Sequence, residues 1–354
     1  MTAVLLAAGC SNPGGGGGSG TEEMPKSIKL VVPYTQGGGT DTWARVLAPE
    51  LKRNLEGQPT VQIENLPGGE GIAANNRFYD VDPPDGSRLL VGTGTSYIPP
   101  LLGVSEAKCD FSKLTPLITN GTGSVLYATK DSGVKKAEDL AKPATQLKYG
   151  GISATGSDLG ALIAFDLLKL DVKTTFGFEG RGPIGLALQR GELNIDRQTT
   201  SAFNAEVKPQ VESGDVTPLM TYGVLDDDGA IVRDPNFKDL PTVPEVYKTL
   251  YGKEPSGPAY AAYRTFAVGM YSFEKAVWAK PGTPKAVIDA FNATVPKLRS
   301  DKRFTELRTK ALGNYQLSSG AESQKQIDEV FDVKPETRTY ILDLLKDKYD
   351  TTVE

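Results

Sequence analysis

Between Ile28 and Asp41 an apolar run, Ile28-Lys29-Leu30-Val31-Val32, passes through Pro33 and Tyr34 into Gly37-Gly38-Gly39-Thr40-Asp41, directly ahead of the helical pattern Trp43-Ala44-Arg45-Val46-Leu47. A strand that turns on glycines into a helix restricts the fold and offers an anion cradle at once. Glycines let the backbone approach a ligand closely, and the first amides of a helix have no internal partner, so a carboxylate or phosphate can satisfy them. Thr40 or Asp41 is placed to cap that helix. The same pattern also serves as an ordinary strand-to-helix turn in an α/β domain, so the rest of the chain has to decide.

The grammar repeats. Leu30 to Pro33 reads as a strand, Thr42 to Leu55 as a helix, Thr60 to Glu64 as a strand, Ile72 to Asp80 as a helix after Gly68, Gly69 and Gly71, and Arg88 to Gly92 as a third strand. Such alternation predicts mostly parallel sheets covered on both faces, with ligands beyond the carboxyl ends of the strands. A second unit follows: strands over 125–129, 147–150, 174–178, 193–196 and 216–222, and helices over 157–170, 183–190 and 207–214. Further on, Val277 to Pro284 ends a strand ahead of a helix over 285–298. Helices over 304–311 and 321–348 are expected to cover the first domain.

Composition narrows the chemistry. The chain has 354 residues, 39% of them hydrophobic, and a formal charge of −5, enough for two packed domains and without the basic excess that nucleic acid requires. It has no histidine, which removes histidine-dependent hydrolases and histidine-ligated zinc enzymes, and no paired cysteines of metal or redox spacing. Cys109 reads as a small core hydrophobe. Asp226-Asp227-Asp228-Gly229 lacks the alternating ligands and distal Glu of a calcium loop and reads as a solvated turn. The aromatics Tyr247, Tyr251, Tyr260, Tyr263, Phe266, Tyr271 and Phe273 read mainly as packing residues.

At the N-terminus, Val4-Leu5-Leu6-Ala7-Ala8-Gly9-Cys10 resembles the tail of a bacterial lipoprotein signal peptide. That implies Cys10 as the lipidated first residue of the mature chain and the Gly/Ser stretch through Gly20 as a flexible tether. The alternative is an uncleaved N-terminus, because the run is too short to span a bilayer.

An ordered series of segments carries a wider resemblance. Val31-Val32-Pro33-Tyr34 with Gly37-Gly38-Gly39-Thr40-Asp41 and Arg45 resembles the signature of the tripartite tricarboxylate transporter receptors, the Bug family of extracytoplasmic solute-binding proteins. Gly57-Gln58-Pro59, Glu64-Asn65-Leu66-Pro67-Gly68-Gly69, Ala73-Ala74-Asn75, Pro84-Asp85-Gly86, Leu89 to Gly92, Asp110-Phe111, Leu240 to Glu245 and Ala279 to Pro284 keep the same register. The resemblance covers about residues 27 to 345.

It implies a type II periplasmic-binding-protein-like architecture: two α/β domains joined by two hinge strands, with a ligand cleft between them. The expected division is a leader and tether at 1–25, domain I at 26–123 plus 251–354, and domain II at 124–250, with hinges near Gly121 to Ser124 and Leu250 to Ala267. The segment 251–264 is longer than expected and has no physical account from sequence. The implied protein performs no chemistry and holds no cofactor or metal. It is a lipid-anchored monomer outside the membrane that captures a small carboxylate (a di- or tricarboxylate, an aromatic acid or an amino acid) and delivers it to the small and large membrane subunits of a secondary transporter. It closes by population shift. A receptor feeding a membrane sensor kinase, or an enzyme acting on a phosphorylated or carboxylated metabolite, are the alternatives. The second lacks both the Walker lysine and dinucleotide glycine spacing.

Carried over position by position, the resemblance places Tyr34, Gly38, Gly39, Thr40 and Asp41 in a first ligand loop. Thr93, Gly94 and Thr95 follow at the same sheet edge, and Ser153, Ala154, Thr155, Gly156 and Ser157 form the loop of the second domain. Where relatives carry Tyr-Lys-Gly this chain has Phe178-Glu179-Gly180-Arg181-Gly182, and a second departure introduces Arg197. Arg181 and Arg197 are therefore candidates to clamp a distal carboxylate, unless they are solvated or paired with Glu179 or Asp196.

Overall fold

Apolar runs separated by Gly-rich turns build two sheets. The computed structural model describes residues 23–353 apart from 38 and 227. The chain lays down β1 (Ser27–Val32), β2 (Thr60–Asn65), β3 (Arg88–Gly92) and β4 (Thr115–Asn120), then crosses to β5 (Ser124–Thr129), β6 (Leu147–Gly150), β7 (Val172–Thr175), β8 (Ile195–Thr199) and β9 (Val216–Thr221). After a short hairpin, β10 (Val224–Leu225) and β11 (Ile231–Val232), it returns to add β12 (Lys275–Ala279) and β13 (Leu317–Ser319). The first sheet has the order β13-β4-β12-β3-β1-β2 and the second β7-β6-β8-β5-β9.

Both sheets are mixed, where the alternation predicted mostly parallel ones. β1 runs parallel to β2 and β3, but β12 lies antiparallel to β3 and β4, and β5 antiparallel to β8 and β9. The cause is the double crossing: β12 arrives from the far lobe, so no strand–helix–strand crossover dictates its direction. Each sheet also carries a proline in a strand paired on a bulge. The register of β12 on β4 slips at Trp278 opposite Pro116, and that of β5 on β9 slips at Tyr127 opposite Pro218. A bulge leaves one residue of the ladder unpaired, so a residue without an N–H is tolerated there.

Helices cover the faces: α1 (Gly39–Asn54), α2 (Ile72–Asp80) and α3 (Gly94–Leu102) on the first sheet, α4 (Leu159–Leu167) and α5 (Arg181–Gln189) on the second. Alternate residues of β1 divide between two apolar clusters, Val31 packing with Leu90 and Tyr97, and Ile28, Leu30 and Val32 with Trp43 and Leu47 of α1. The first cluster runs on into the second lobe through Leu126, Tyr149 and Phe165, so one core spans both lobes. Cys109 is buried in it, and that burial pushes its thiol pKa up, as befits a core residue.

The two lobes meet where the crossings touch. The Thr122 amide donates to the Tyr271 carbonyl at 2.9 Å. A β-carbon at Gly121 would approach the Ser272 carbonyl oxygen to 2.9 Å, and one at Gly123 would sit 1.7 Å from Asp234 Oδ2, so both positions need glycine. The returning crossing follows a helix over 258–272 whose middle, Tyr263–Gly269, is in π form. This helix accounts for the segment 251–264. It packs on α4 at Gly160, where a β-carbon would come within 3.2 Å of Ala267 Cα, and Tyr263 donates to the Tyr222 carbonyl. The expected cover over 321–348 is two helices, Gly320–Phe331 and Pro335–Tyr349. No described helix is long and apolar enough to cross a membrane.

Candidate ligand cleft

The first ligand loop leaves β1 and enters α1, with Gly37 at φ +86°, a left-handed turn that suits glycine. Asp41 pins the loop. Its Oδ2 accepts from the Gly37 amide at 2.9 Å and from Arg45 Nε at 2.7 Å, and its Oδ1 accepts from Asn65 Nδ2 at 3.0 Å. Burial raises the Asp41 pKa, but the hydrogen bonds from Arg45, Gly37 and Asn65 outweigh it and hold the carboxyl below its usual range. Asp41 therefore lies inside the first turn of α1, past the cap position expected for it or for Thr40, and braces the loop from within. Next to it the Thr40 hydroxyl accepts from Lys275 Nζ at 3.1 Å. Lys275 also pairs with Glu274 at 2.9 Å, and Glu274 Oε2 accepts from the Gly94 amide at 2.6 Å. A polar string, Thr40, Lys275, Glu274, Gly94, therefore runs along the carboxyl edge of the first sheet. Lys275 and Glu274 went unnoticed in the sequence, where they read as the start of an apolar strand.

Thr93 and Ser96 form the capping box of α3, and both hydroxyls lie 3.0 Å from the Tyr34 hydroxyl. Burial, opposed by those two hydroxyls, pushes the Tyr34 phenol up to about 12, so it stays a neutral donor. Thr95 is half-buried in the first turn of α3.

The loop of the second lobe, 151–158, folds around its own carboxylate. Asp158, fully buried, accepts from the Ile152 and Ser153 amides at 2.7 and 3.2 Å and from the Ser157 hydroxyl at 3.1 Å. Its other oxygen takes the Tyr149 hydroxyl and Arg181 Nη2. Burial disfavours the Asp158 charge, but Arg181 and the Tyr149 hydroxyl outweigh it and the pKa is lowered. Ser153 and Thr155 lie within 3.2 Å of each other, Ala154 is buried beside them, and Ser157 is half-buried.

Arg181 is the paired arginine of the sequence alternatives: besides Asp158 it reaches Asp196 Oδ1 at 3.3 Å, and Asp196 also accepts from Tyr127 at 2.7 Å. Burial pushes the Asp196 pKa up against the pull of Arg181. Arg197 differs. It is 4% exposed, donates from Nη1 to the Ser124 hydroxyl at 2.8 Å and from Nη2 to the Ser157 carbonyl at 2.7 Å, and lies over the Tyr271 ring at 5.3 Å. Its Nε has no hydrogen-bond partner, and the hydroxyl of Tyr222, buried within electrostatic reach of it, has none either. Two orphaned buried donors in one neighbourhood call for an acceptor.

The two loops approach each other through Glu70, which sits at φ +52° in the turn before α2. Its carbonyl lies 3.5 Å from the Tyr34 hydroxyl, and its Oε2 would be 2.4 Å from a β-carbon on Gly156. Burial raises the Glu70 pKa; Ser153 and Arg181 oppose the shift and Asp158 adds to it. Of the site residues expected from sequence, Tyr34, Thr93 and Thr40 lie at the edge of the first sheet with Lys275; Ser157 and Arg197 meet on the second lobe beside Tyr271, and Glu70 lies between the Tyr34 hydroxyl and Gly156. Gly38 and Cys10 lie outside the described residues. Among the described residues no group of three or more Cys, Asp or Glu forms a metal cluster.

No family model matches the chain. A protein in the TAR-I ttuE-ttuC' intergenic region of Agrobacterium vitis is 25% identical over 327 residues, 89% of this chain and 83% of that one. Protein BugT of Bordetella pertussis is 26% identical over 230 residues, 62% and 66% of the two chains. Among solved structures, the periplasmic binding protein BugD superposes with a TM-score of 0.62 at 21% identity, covering 91% of this chain and 97% of its own. Rpa4515 of R. palustris with adipate gives 0.65 at 23% identity, covering 90% and 96%. The chain is thus similar in sequence to a Bug protein over 230 residues, and along nearly all of its length it shares the fold of periplasmic binding proteins.

Proposed function

We propose that the protein captures a small carboxylate between its two lobes outside the membrane and hands it to the membrane subunits of a tripartite tricarboxylate-type transporter. The observation that carries this reading is a set of donors: Lys275 beside Thr40 on one lobe, and the unpartnered Arg197 Nε and Tyr222 hydroxyl on the other. A carboxylate accepts several short hydrogen bonds and completes such a set, whereas a neutral sugar brings donors of its own. The solved relative with adipate supports the same chemistry. The protein acts by binding and release, as its solute-binding relatives do. Lipidation at Cys10 would hold it to the outer face of the membrane, with the Gly/Ser stretch as tether.

A thermal-shift screen against mono-, di- and tricarboxylates, aromatic acids and amino acids, with sugars as controls, tests the reading. A ligand at one hundred times its dissociation constant adds about 2.7 kcal/mol to stability. One carboxylate class is expected to raise the melting temperature, and Lys275→Gln to weaken its binding about tenfold or more. A response confined to sugars would sink the carboxylate assignment.

A further inference from the structure

The cleft of this carboxylate receptor already contains a carboxylate of its own. Glu70 comes from the first lobe, yet its side chain lies against the ligand loop of the second, with Oε2 2.4 Å from where a β-carbon on residue 156 would sit. The groups around it are Ser153, Asp158 and Arg181 from the second lobe and the Tyr34 hydroxyl from the first. The balance there is already acidic: Glu70, Asp158, Asp196 and Glu274 stand against Lys275, Arg181 and Arg197. Arg181 is consumed by Asp158 and Asp196, and Lys275 is shared with Glu274. Arg197 is taken up by the Ser124 hydroxyl and the Ser157 carbonyl, so among the described residues Glu70 has no ion pair of its own, although Arg181 acts on it from a distance. A ligand whose two ends are both ionised carboxylates would bring one of them against it, and like charges in a site with little water repel strongly.

We propose that Glu70 sets the ligand class. It places an acceptor carboxylate on the cleft wall, so the receptor takes molecules with one carboxylate and a hydrogen-bond-donating far end, an ammonium above a hydroxyl, in preference to dicarboxylates of equal length. The ligand carboxylate then belongs to the donors named above, Lys275, Arg197 Nε and the Tyr222 hydroxyl, and its donor end to Glu70. The left-handed backbone at Glu70 strengthens the argument. A non-glycine residue at φ +52° is costly, and here the turn carries Glu in a run otherwise made of Gly68, Gly69 and Gly71.

This inference rests on the carboxylate reading above, and its test separates the two. Calorimetric titrations of the full chain would compare succinate, 4-hydroxybutyrate and 4-aminobutyrate, and the corresponding six-carbon series, on wild type, Glu70→Gln and Glu70→Gly. The glycine variant suits the backbone and guards against misfolding of the first. In the wild type the amino compound is expected to bind about tenfold or more tightly than the diacid of its length. In both variants the diacid should gain, and the amino compound lose, about tenfold. A wild type that prefers the diacid, or a ratio unchanged in both variants, overturns the role of Glu70 and leaves the receptor reading intact. Silence across both series overturns it too, and the broader carboxylate screen then decides separately whether the receptor reading stands.

Discussion

Glu70 makes the fold sensitive to pH in a direction opposite to most surface carboxylates. Its folded-state pKa is raised by burial, so the fold is favoured while the group is protonated and loses that increment as pH rises through the folded value. Glu70→Gln removes the slope. The variant is expected to melt above wild type at pH 7 and to converge with it below the ordinary glutamate range, measured as melting temperature from pH 4 to 8. Single residues of this kind are poorly legible in sequence. The loop around Gly37, Thr40 and Asp41 is, because glycines, a cap residue and a helical pattern sit side by side in the chain. So is Arg197, which stands out as a departure from the family pattern, although the expected strand stops at Asp196 and the structure carries it on to Thr199. Lys275 and Tyr222 are not, since their meaning depends on partners far away: Thr40 lies 235 residues from Lys275. The pairing of Arg181 with Asp196 is among the sequence alternatives, but its pairing with Asp158 is not, because Asp158 reads locally as one more residue ahead of a helix.

Elements were legible where local signals agree. Ile72–Asp80 and Arg88–Gly92 follow the expected bounds because glycines or turn residues flank a clean period. α3 was hidden by Pro99 and Pro100, yet it forms because Tyr97, Ile98 and Leu102 are buried and the Thr93 box starts it firmly. β4 was hidden by Pro116, which the bulge opposite Trp278 accommodates. The π segment at Tyr263–Gly269 has no sequence signal of its own, since packing against α4 and β10 selects it. The contact between the facing loops gives a test at this scale. Gly156 is not among the residues with positive φ, so alanine fits its backbone, but the added carbon collides with the Glu70 carboxylate. Gly156→Ala is expected to cost about 1 kcal/mol, and Glu70→Gly to absorb that cost in the double variant, read as a double-mutant cycle by urea denaturation. An additive cycle would mean that the loops do not touch.

At the scale of the whole molecule, the mixed sheets and double crossing follow from the order in which the chain visits the lobes, which no local pattern specifies. The last helix, Pro335–Tyr349, ties the lobes together. Arg338 donates to the Leu102 carbonyl at 2.7 Å at the end of α3, whereas Tyr340 and Lys348 both bind Asp166 on α4. Ile341, Leu344 and Leu345 are buried in the shared core. Removing residues 335–354 takes three such side chains away, about 5 kcal/mol of burial, a large part of what a domain of this size holds in reserve. The truncated chain is expected to lose its cooperative melting transition, and a retained transition within a few degrees of wild type would show the helix to be dispensable.

A strut fastened to both lobes makes the interior of the receptor readable from outside. Whatever grips the turn beyond Tyr349 in only one arrangement of the lobes must change solute affinity by the same factor by which solute changes its grip, because the two binding events share one thermodynamic cycle. A partner that grips that turn in one arrangement alone is therefore no neutral handle on this protein, and a fluorophore beside it would report the filling of a cleft it does not touch.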